Sequence, residues 1–240
     1  MIGQSSTGHG ASQSPLAERG VLVIGPATSL VHGIAGAASD GGARVVVATA
    51  GPPNDGAGAT PHVTSDFASE DDIDRLFDAA LTHLSRLDVV VTVLDVPPLH
   101  ALHTVSLDRW QSCISLPLRL AFWLAQRALD ELVASDAGGR IIFVVHRLEG
   151  ESAGDGVRIV AEALASLARS LSREYGRNAV SCQVVVQSLA DGEMPPTADG
   201  HRAVIEWVLF FASPAAAFIN GEVVAVANPV VPPSGSPGVA

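Results

Sequence analysis

The chain has 240 residues, of which 48% are hydrophobic and 16% are charged, and a formal net charge of −11. This composition fits one α/β domain with a large core, and the acidic balance argues against nucleic acid or an anionic membrane as a partner. The chain contains no lysine, which excludes Schiff-base chemistry and a phosphate-loop lysine. We interpret its two cysteines, Cys113 and Cys182, as free thiols of a cytoplasmic protein.

Composition divides the chain into three segments. Residues 1–18 are rich in serine, glycine and glutamine, which predicts disorder. Residues 19–228 form a single predicted domain without internal repeats, and residues 229–240 form a tail rich in proline and glycine. The apolar runs reach about ten residues, which is too short to span a bilayer.

Six short runs rich in valine and isoleucine predict β-strands. Their apolar residues are continuous rather than alternating, which is typical of strands buried on both faces of a parallel sheet. The six runs are Gly20–Ile24, Arg44–Ala48, Leu87–Leu94, Arg140–Val145, Val180–Val186 and Glu222–Val226.

Amphipathic segments between these runs predict helices at Asp71–Leu84, Leu107–Leu132 and Val157–Tyr175. Ser69 and Asp72 have the spacing of a capping box for the first of them, and Gly176 offers a C-terminal cap to the last. Strands that alternate with helices in this way predict a doubly wound α/β sheet with right-handed crossovers.

Several landmarks occur in a fixed order along the chain. They are Gly42–Val47 (GARVVV), Leu87–Val91 (LDVVV), Gly139–Ile142 (GRII), Trp207–Ser213 (WVLFFAS) and Ile219–Val223 (INGEV). From residue 19 onward the chain thereby resembles the short-chain dehydrogenase/reductase family. The resemblance implies a Rossmann-like doubly wound parallel sheet of about seven strands, with helices on both faces in a three-layer α/β/α arrangement.

The first loop departs from the family's phosphate-binding motif, T-G-x-x-x-G-x-G. The threonine and three glycine positions correspond here to Ile24, Gly25, Ser29 and Val31, so that only Gly25 matches. Val31 places a β-branched side chain where the motif needs bare backbone, and Pro26 removes an amide donor. A plain turn between strand and helix is therefore the favoured interpretation of this loop.

The end of the second strand also lacks the residue that would select a dinucleotide. It reads Ala48-Thr49-Ala50, with neither an acid for ribose hydroxyls nor a base for a 2′-phosphate. Asp66 matches the family acid that often meets adenine. Gly25 and Asp66 are thus interpreted as vestigial, and no cofactor is expected in this chain.

The family's catalytic tetrad of Asn, Ser, Tyr and Lys is also absent. By resemblance, its positions fall on Ser115, His146, Val157 and Ala161. A lysine ammonium beside a tyrosine lowers the pKa of the phenol, and neither residue is present at these positions. The one tyrosine, Tyr175, lies at the far end of the predicted helix.

His146 offers a different acid–base group. It follows a predicted strand, where α/β sheets place their sites, and Glu149, Glu151 and Asp155 come shortly after it. A charged surface loop is the simpler interpretation of the same residues. No histidine or cysteine spacing predicts a metal site.

Apolar residues on the last helices predict contacts between subunits. The residues assigned to this interface are Ile159, Ala163, Leu164, Leu167, Trp207 and Phe211. In the resembled family, the fourth and fifth helices of two subunits pack together, so we expect an oligomer.

These observations lead to the hypothesis of a catalytically inactive subunit. It would assemble with and stabilise an active, paralogous, NAD(P)-dependent dehydrogenase, as a heterotetramer in which the partner holds NAD, or would self-associate through the same helices. The resemblance offers a hydroxyacyl-CoA substrate, such as an aromatic (hydroxybenzyl)succinyl-CoA-type alcohol. Two alternatives remain open: an active oxidoreductase with an atypical site around His146, and a ligand-sensing regulator.

Overall fold

A seven-stranded parallel sheet forms the centre of the computed structural model, which describes residues 14–51, 60–97, 99, 102–147, 155–188 and 198–227. The strands lie in the order β3-β2-β1-β4-β5-β6-β7. Their bounds are β1 Gly20–Gly25, β2 Arg44–Thr49, β3 His62–Thr64, β4 Val89–Val96, β5 Gly139–Arg147, β6 Val180–Ser188 and β7 Val223–Ala227. The predicted doubly wound fold is confirmed.

Helices cover both faces of the sheet. They are α1 Ser29–Asp40, α2 Glu70–Leu81, α3 Leu107–Trp110, α4 Leu116–Ala134, α5 Asp155–Tyr175 and α6 Ala198–Ala212. Helices α1 and α6 pack on one face, and α2, α4 and α5 pack on the other. Because every central strand is covered on both sides, its side chains are apolar in both directions, which explains the continuous valine-rich runs.

The predicted capping box of α2 is present. The Ser69 hydroxyl accepts a hydrogen bond from the amide of Asp72, whose carboxylate accepts one from the amide of Ser69. The hydrogen bond from Ser69 is the main cause of a lowered pKa at the Asp72 carboxyl group. Thr28 caps α1 in a similar way, with its side chain accepting from the amide of Val31.

The structure differs from the predicted elements in five places. Strand β3 and helices α1 and α6 had no predicted range; β3 has three residues, and α1 is rich in alanine and glycine. The long predicted helix is divided by a π-helical turn at Gln111–Ser115, just before Pro117. Gly176 starts a 3₁₀ turn instead of capping α5, and Ala179, with φ of 56°, takes the left-handed conformation.

The N-terminal end of the described structure contributes to the core. Leu16 lies within the segment predicted to be disordered, yet it is buried, and its amide donates to the carbonyl of Gly41 over 3.0 Å. Order therefore begins before residue 19. Residues 1–13 and the predicted tail at 229–240 lie outside the described residues.

Both cysteines are buried in the core, Cys113 before α4 and Cys182 on β6. Burial strongly raises the pKa of the Cys182 thiol, so that this group stays protonated. Within the described parts of the chain, none of the helices has the length and apolar character needed to cross a bilayer.

Two glycines make a matched test of this packing. A side chain at Gly36, inside α1, would meet nothing within 4 Å, whereas one at Gly20 would overlap the carbonyl oxygen of Arg86. We expect Gly36→Ala to raise the free energy of unfolding by about 0.5–1 kcal/mol, because alanine is the better helix former. Gly20→Ala should lower it, since strand β1 must move away from Arg86.

Urea denaturation of both variants measures the two effects. Equal stabilities of Gly36→Ala and Gly20→Ala would contradict the described packing of β1 at Arg86.

Candidate active site

The carboxyl ends of β4 and β5 bring two ionisable side chains together. These strands run parallel and stay paired up to Val96 and Arg147, so that Asp95 lies directly opposite His146. Residues opposite each other in a parallel pair project to the same face of the sheet. The carboxyl edge of an open α/β sheet is also where such folds bind their ligands.

Asp95 and His146 form a buried hydrogen-bonded pair. The Nδ1 atom of His146 lies 2.9 Å from Oδ1 of Asp95, with side-chain exposures of 3% and 14%. Because an ionised carboxylate only accepts, Nδ1 carries the proton and donates it to Asp95. In the neutral form of the ring Nε2 is then the acceptor, and it has no hydrogen-bond partner among the described residues.

A second imidazole lies beside this pair. The ring of His201, near the start of α6, is 5.4 Å from that of His146 between centroids, with the two planes inclined by 57°. Helix α6 thus covers the outer side of His146, and the acceptor Nε2 is shielded from water.

The other tetrad positions carry no acid–base group. Val157 and Ala161 lie on α5, one partly buried and the other 8% exposed, and both belong to the core beneath the sheet. Ser115 is exposed at the end of the π-helical turn. Of the four tetrad positions, only that of His146 therefore carries an acid–base side chain at the sheet edge.

The partner that the structure gives His146 precedes it in the chain, whereas the acids predicted near it follow it. Glu149 and Glu151 lie outside the described residues, and the side chain of Asp155 is not described. Asp95 was missed because the predicted fourth strand ended at Leu94. Extending that strand by two residues to Val96, as its pairing with β5 does, would have revealed the pair.

The first loop has a different geometry from the one predicted. Val31 is fully buried, and a Cβ atom at Gly25 would come within 3.0 Å of both Val31 and Val93, so that the two side chains pack closely around this glycine. The side chain of Val31 thus fills the space between α1 and the sheet and does not enter the loop. This burial does not support the predicted steric block of a phosphate group by Val31. The first amides of α1 lack intrahelical partners, as at any helix start, and this end can bind an anion.

Polar side chains also cluster at the end of β2. Thr49 lies 2.8 Å from Nε2 of His62 and donates its hydroxyl hydrogen to the carbonyl of Gly51 over 3.1 Å. Asp66, the predicted adenine contact, is exposed just after β3 and lines a groove with Asp72 and Arg75. No group of metal-binding side chains occurs within the described ranges.

The predicted interface residues fall into two groups. Leu164 and Phe211 are buried at 0% and 1% exposure inside the chain's own core. The side chains of Ile159, Ala163 and Leu167 are partly exposed, and Trp207 is 39% exposed. An interface on these four residues stays a prediction.

A family profile described as Enoyl-(Acyl carrier protein) reductase matches residues 25–208. The chain belongs to the short-chain dehydrogenase/reductase family. The range that the profile matches includes the first loop, the end of β2 and the Asp95–His146 pair. The chain therefore has the fold of an oxidoreductase family, and the polar residues at its sheet edge differ from the family's catalytic tetrad.

Two curated relatives are dehydrogenases. Cis-4-hydroxycyclohexanecarboxylate dehydrogenase of Sinomonas cyclohexanicum is 24% identical, over 92% of this chain and 92% of its own length. Hydroxyacyl-CoA dehydrogenase ChsB1 of Mycobacterium tuberculosis is 28% identical, over 85% and 67% respectively. A solved short-chain dehydrogenase/reductase from Serratia marcescens aligns with a TM-score of 0.72 at 19% identity, over 89% of this chain and 98% of that one, which shows the shared fold.

This membership corrects the expectation that the chain holds no cofactor. Reductases and dehydrogenases of this family move a hydride to or from a nicotinamide, so a nicotinamide cofactor is implied for this chain as well. The described residues fit such a group. Val31 is buried in the core at the start of α1, whose first amides lack intrahelical partners, and the buried Nε2 of His32 lacks a hydrogen-bond partner among the described residues.

The buried pair makes a stability prediction. Asp95→Ala leaves the Nδ1 proton of His146 without its acceptor, and we expect the free energy of unfolding to fall by about 1–3 kcal/mol. The matched control is Asp136→Ala, which removes an exposed carboxylate and should change stability by less than about 0.5 kcal/mol. Urea denaturation measures both variants. Indistinguishable midpoints would show that Asp95 and His146 are not paired.

Proposed function

We propose that this chain is an oxidoreductase that interconverts an alcohol and its carbonyl product, with His146 as the acid–base group and Asp95 as its positioning residue. The main support for this proposal is the 2.9 Å hydrogen bond between the two side chains, which leaves Nε2 of His146 as the acceptor at the sheet edge. No tyrosine and no lysine compete for this role, because Val157 and Ala161 occupy those helix positions.

The proton chemistry follows from the tautomer. In the oxidative direction, the substrate O–H bond breaks, its proton passes to Nε2 of His146, and its electron pair forms the carbonyl bond. A nicotinamide bound to this chain would supply the acceptor for the hydride that leaves the same carbon. His146 becomes an imidazolium, which the Asp95 carboxylate stabilises from the opposite side of the ring. In the reductive direction, Nε2–H returns the proton to the oxygen.

The surroundings of the pair support this role. Its low exposure excludes water, and electrostatic interactions are stronger in such an environment than in bulk water. The names of the two relatives are those of dehydrogenases of a ring hydroxyl and of a hydroxyacyl-CoA. A secondary alcohol is therefore the substrate class that we propose for this chain.

The direct test is turnover of the purified chain. We expect His146→Gln to lower kcat by about 10²–10⁴-fold on cis-4-hydroxycyclohexanecarboxylate or a hydroxyacyl-CoA, because the proton acceptor is lost. Asp95→Asn should lower kcat with little change in KM, since the amide keeps a hydrogen-bond acceptor without the charge. Appearance of reduced nicotinamide fluorescence measures both.

The matched control is His103→Gln, which changes an exposed histidine on the loop before α3. It should leave turnover unchanged. Circular dichroism checks that all variants are folded. Turnover of His146→Gln at the level of His103→Gln would contradict the proposed role.

A second candidate is the non-catalytic subunit of a two-subunit dehydrogenase. It is favoured by the absent Tyr–Lys pair and by exposed apolar side chains on two helices. Phe122 on α4 is 52% exposed, and Trp207 and Phe210 on α6 are 39% and 36% exposed. In this hypothesis the chain belongs to the same family, but it binds and stabilises an active partner subunit and takes no part in proton transfer. The ligand-sensing alternative has no observation of its own to support it.

The two candidates differ in a simple reconstitution. The subunit hypothesis expects no turnover from this chain alone, and turnover above the partner's own level once it is mixed with an active family member from a neighbouring reading frame. Phe122→Ser and Trp207→Ser should weaken that association in size-exclusion chromatography with light scattering. Turnover by the isolated chain, lost in His146→Gln, would refute the subunit hypothesis.

A further inference from the structure

Gln187 is a polar side chain at the carboxyl end of β6 that the proposed proton transfer does not use. The residue is 1% exposed, and neither its amide nitrogen nor its amide oxygen has a hydrogen-bond partner among the described residues. A primary amide that is buried without partners costs free energy, because it has lost the hydrogen bonds that it made to water. A ligand that supplies those hydrogen bonds is therefore favoured at this position.

The strand register places Gln187 beside His146. Val145 on β5 and Val186 on β6 are Cα partners, and His146 and Gln187 are the next residues on the two strands. Neighbouring strands of a sheet lie about 4.8 Å apart, and residues at the same level of a parallel pair project to the same face. The two polar side chains are therefore neighbours on one face of the sheet.

This face is the one that α6 covers. Gln187 is paired with Val226 on its other side, which belongs to the core beneath α1 and α6, and the His146 ring contacts the ring of His201 on α6. Since Asp95 lies opposite His146 on β4, the three strands β4, β5 and β6 carry a row of polar residues at one level. The row is Asp95, His146 and Gln187.

The orientation of the His146 ring directs its free nitrogen along this row. Nδ1 is bonded to Asp95 on β4, so Nε2, on the far side of the ring, is directed away from β4 and towards β6. Nε2 is an acceptor and the Gln187 amide is a donor, yet the two are not hydrogen-bonded to each other. An alcohol oxygen between them satisfies both, because it donates its hydrogen to Nε2 and accepts one from the amide.

We infer that Gln187 is a further catalytic residue, whose amide donates a hydrogen bond to the reacting oxygen of the alcohol. In the oxidative direction that oxygen gives its proton to His146, and the negative charge that develops on it is stabilised by an N–H donor held in a buried position. In the reductive direction the same N–H polarises the carbonyl group. Gln187 keeps its own hydrogens throughout. This inference rests on the proposed function of the Asp95–His146 pair.

A second glutamine on the same strand gives a test that does not depend on turnover. Gln183 lies four residues earlier, on the same face, but its amide nitrogen donates to the Ser181 hydroxyl and to the carbonyl of Ile219. We expect Gln187→Leu to raise the midpoint of thermal unfolding, because it removes a buried amide that has no partners, and Gln183→Leu to lower it. A midpoint lowered by Gln187→Leu would show a structural role and overturn the inference.

Turnover tests the catalytic role itself. Gln187→Leu should lower kcat on cis-4-hydroxycyclohexanecarboxylate or a hydroxyacyl-CoA by about 10²-fold, because one donor to the reacting oxygen is lost. The pH profile of kcat/KM should keep its shape, since His146 still accepts the proton. Gln187→Glu keeps the size of the side chain but not the donor, and it should also lower kcat. The matched control Gln126→Leu, at an exposed position on α4, should leave turnover unchanged.

The outcomes separate this inference from the function on which it rests. Full turnover of Gln187→Leu, together with loss of turnover in His146→Gln, would overturn the role of Gln187 and leave that of His146 intact. Absence of turnover in the unaltered chain would refute the proposed function, and the role of Gln187 with it.

Discussion

The pairing of β4 with β5 is the constraint on which the candidate site depends. Both strands continue past the point where an apolar run would end, and their parallel register places Asp95 against His146. Removing two such groups from water is costly unless they satisfy each other. Their hydrogen bond meets this requirement at Nδ1 of His146, whereas the buried Nε2 has no hydrogen-bond partner among the described residues. The strand register thus also fixes the orientation of the His146 ring.

The opposite side of the site is apolar where relatives of this fold carry their proton donor. Val157 and Ala161 pack between α5 and the sheet, so at these positions the helix presents apolar side chains and no charged group. In the proposed function the acid–base group lies on two adjacent strands instead of on a helix, and these strands are held together by main-chain hydrogen bonds. Restoring a tyrosine and a lysine on α5 would therefore insert two polar groups into a closed core.

The fold could be predicted from sequence more completely than the site. Continuous valine-rich runs indicated six of the seven strands, because burial on both faces leaves little choice of residue. Strand β3 was missed since its three residues, with His62 and Thr64, carry no apolar pattern. The capping box at Ser69 was correct because it depends only on neighbours in the chain.

The site depended on distances that sequence spacing does not encode. Asp95 and His146 are far apart in sequence and meet only through strand register. The prediction for Val31 came from a motif in which a side chain at this position faces the loop, whereas in helix α1 the Val31 side chain points into the core. The absence of a lysine excludes one kind of proton chemistry, but it does not decide whether a dinucleotide binds.

The burial of both thiols has a practical consequence. Cys113 and Cys182 are the two cysteines of the whole sequence, and neither side chain reaches the surface of the folded chain. A maleimide dye would therefore react first at any cysteine engineered onto an exposed helix, without prior removal of the native ones. Such a label beside α6 would report directly on whether that helix shifts when a dinucleotide arrives.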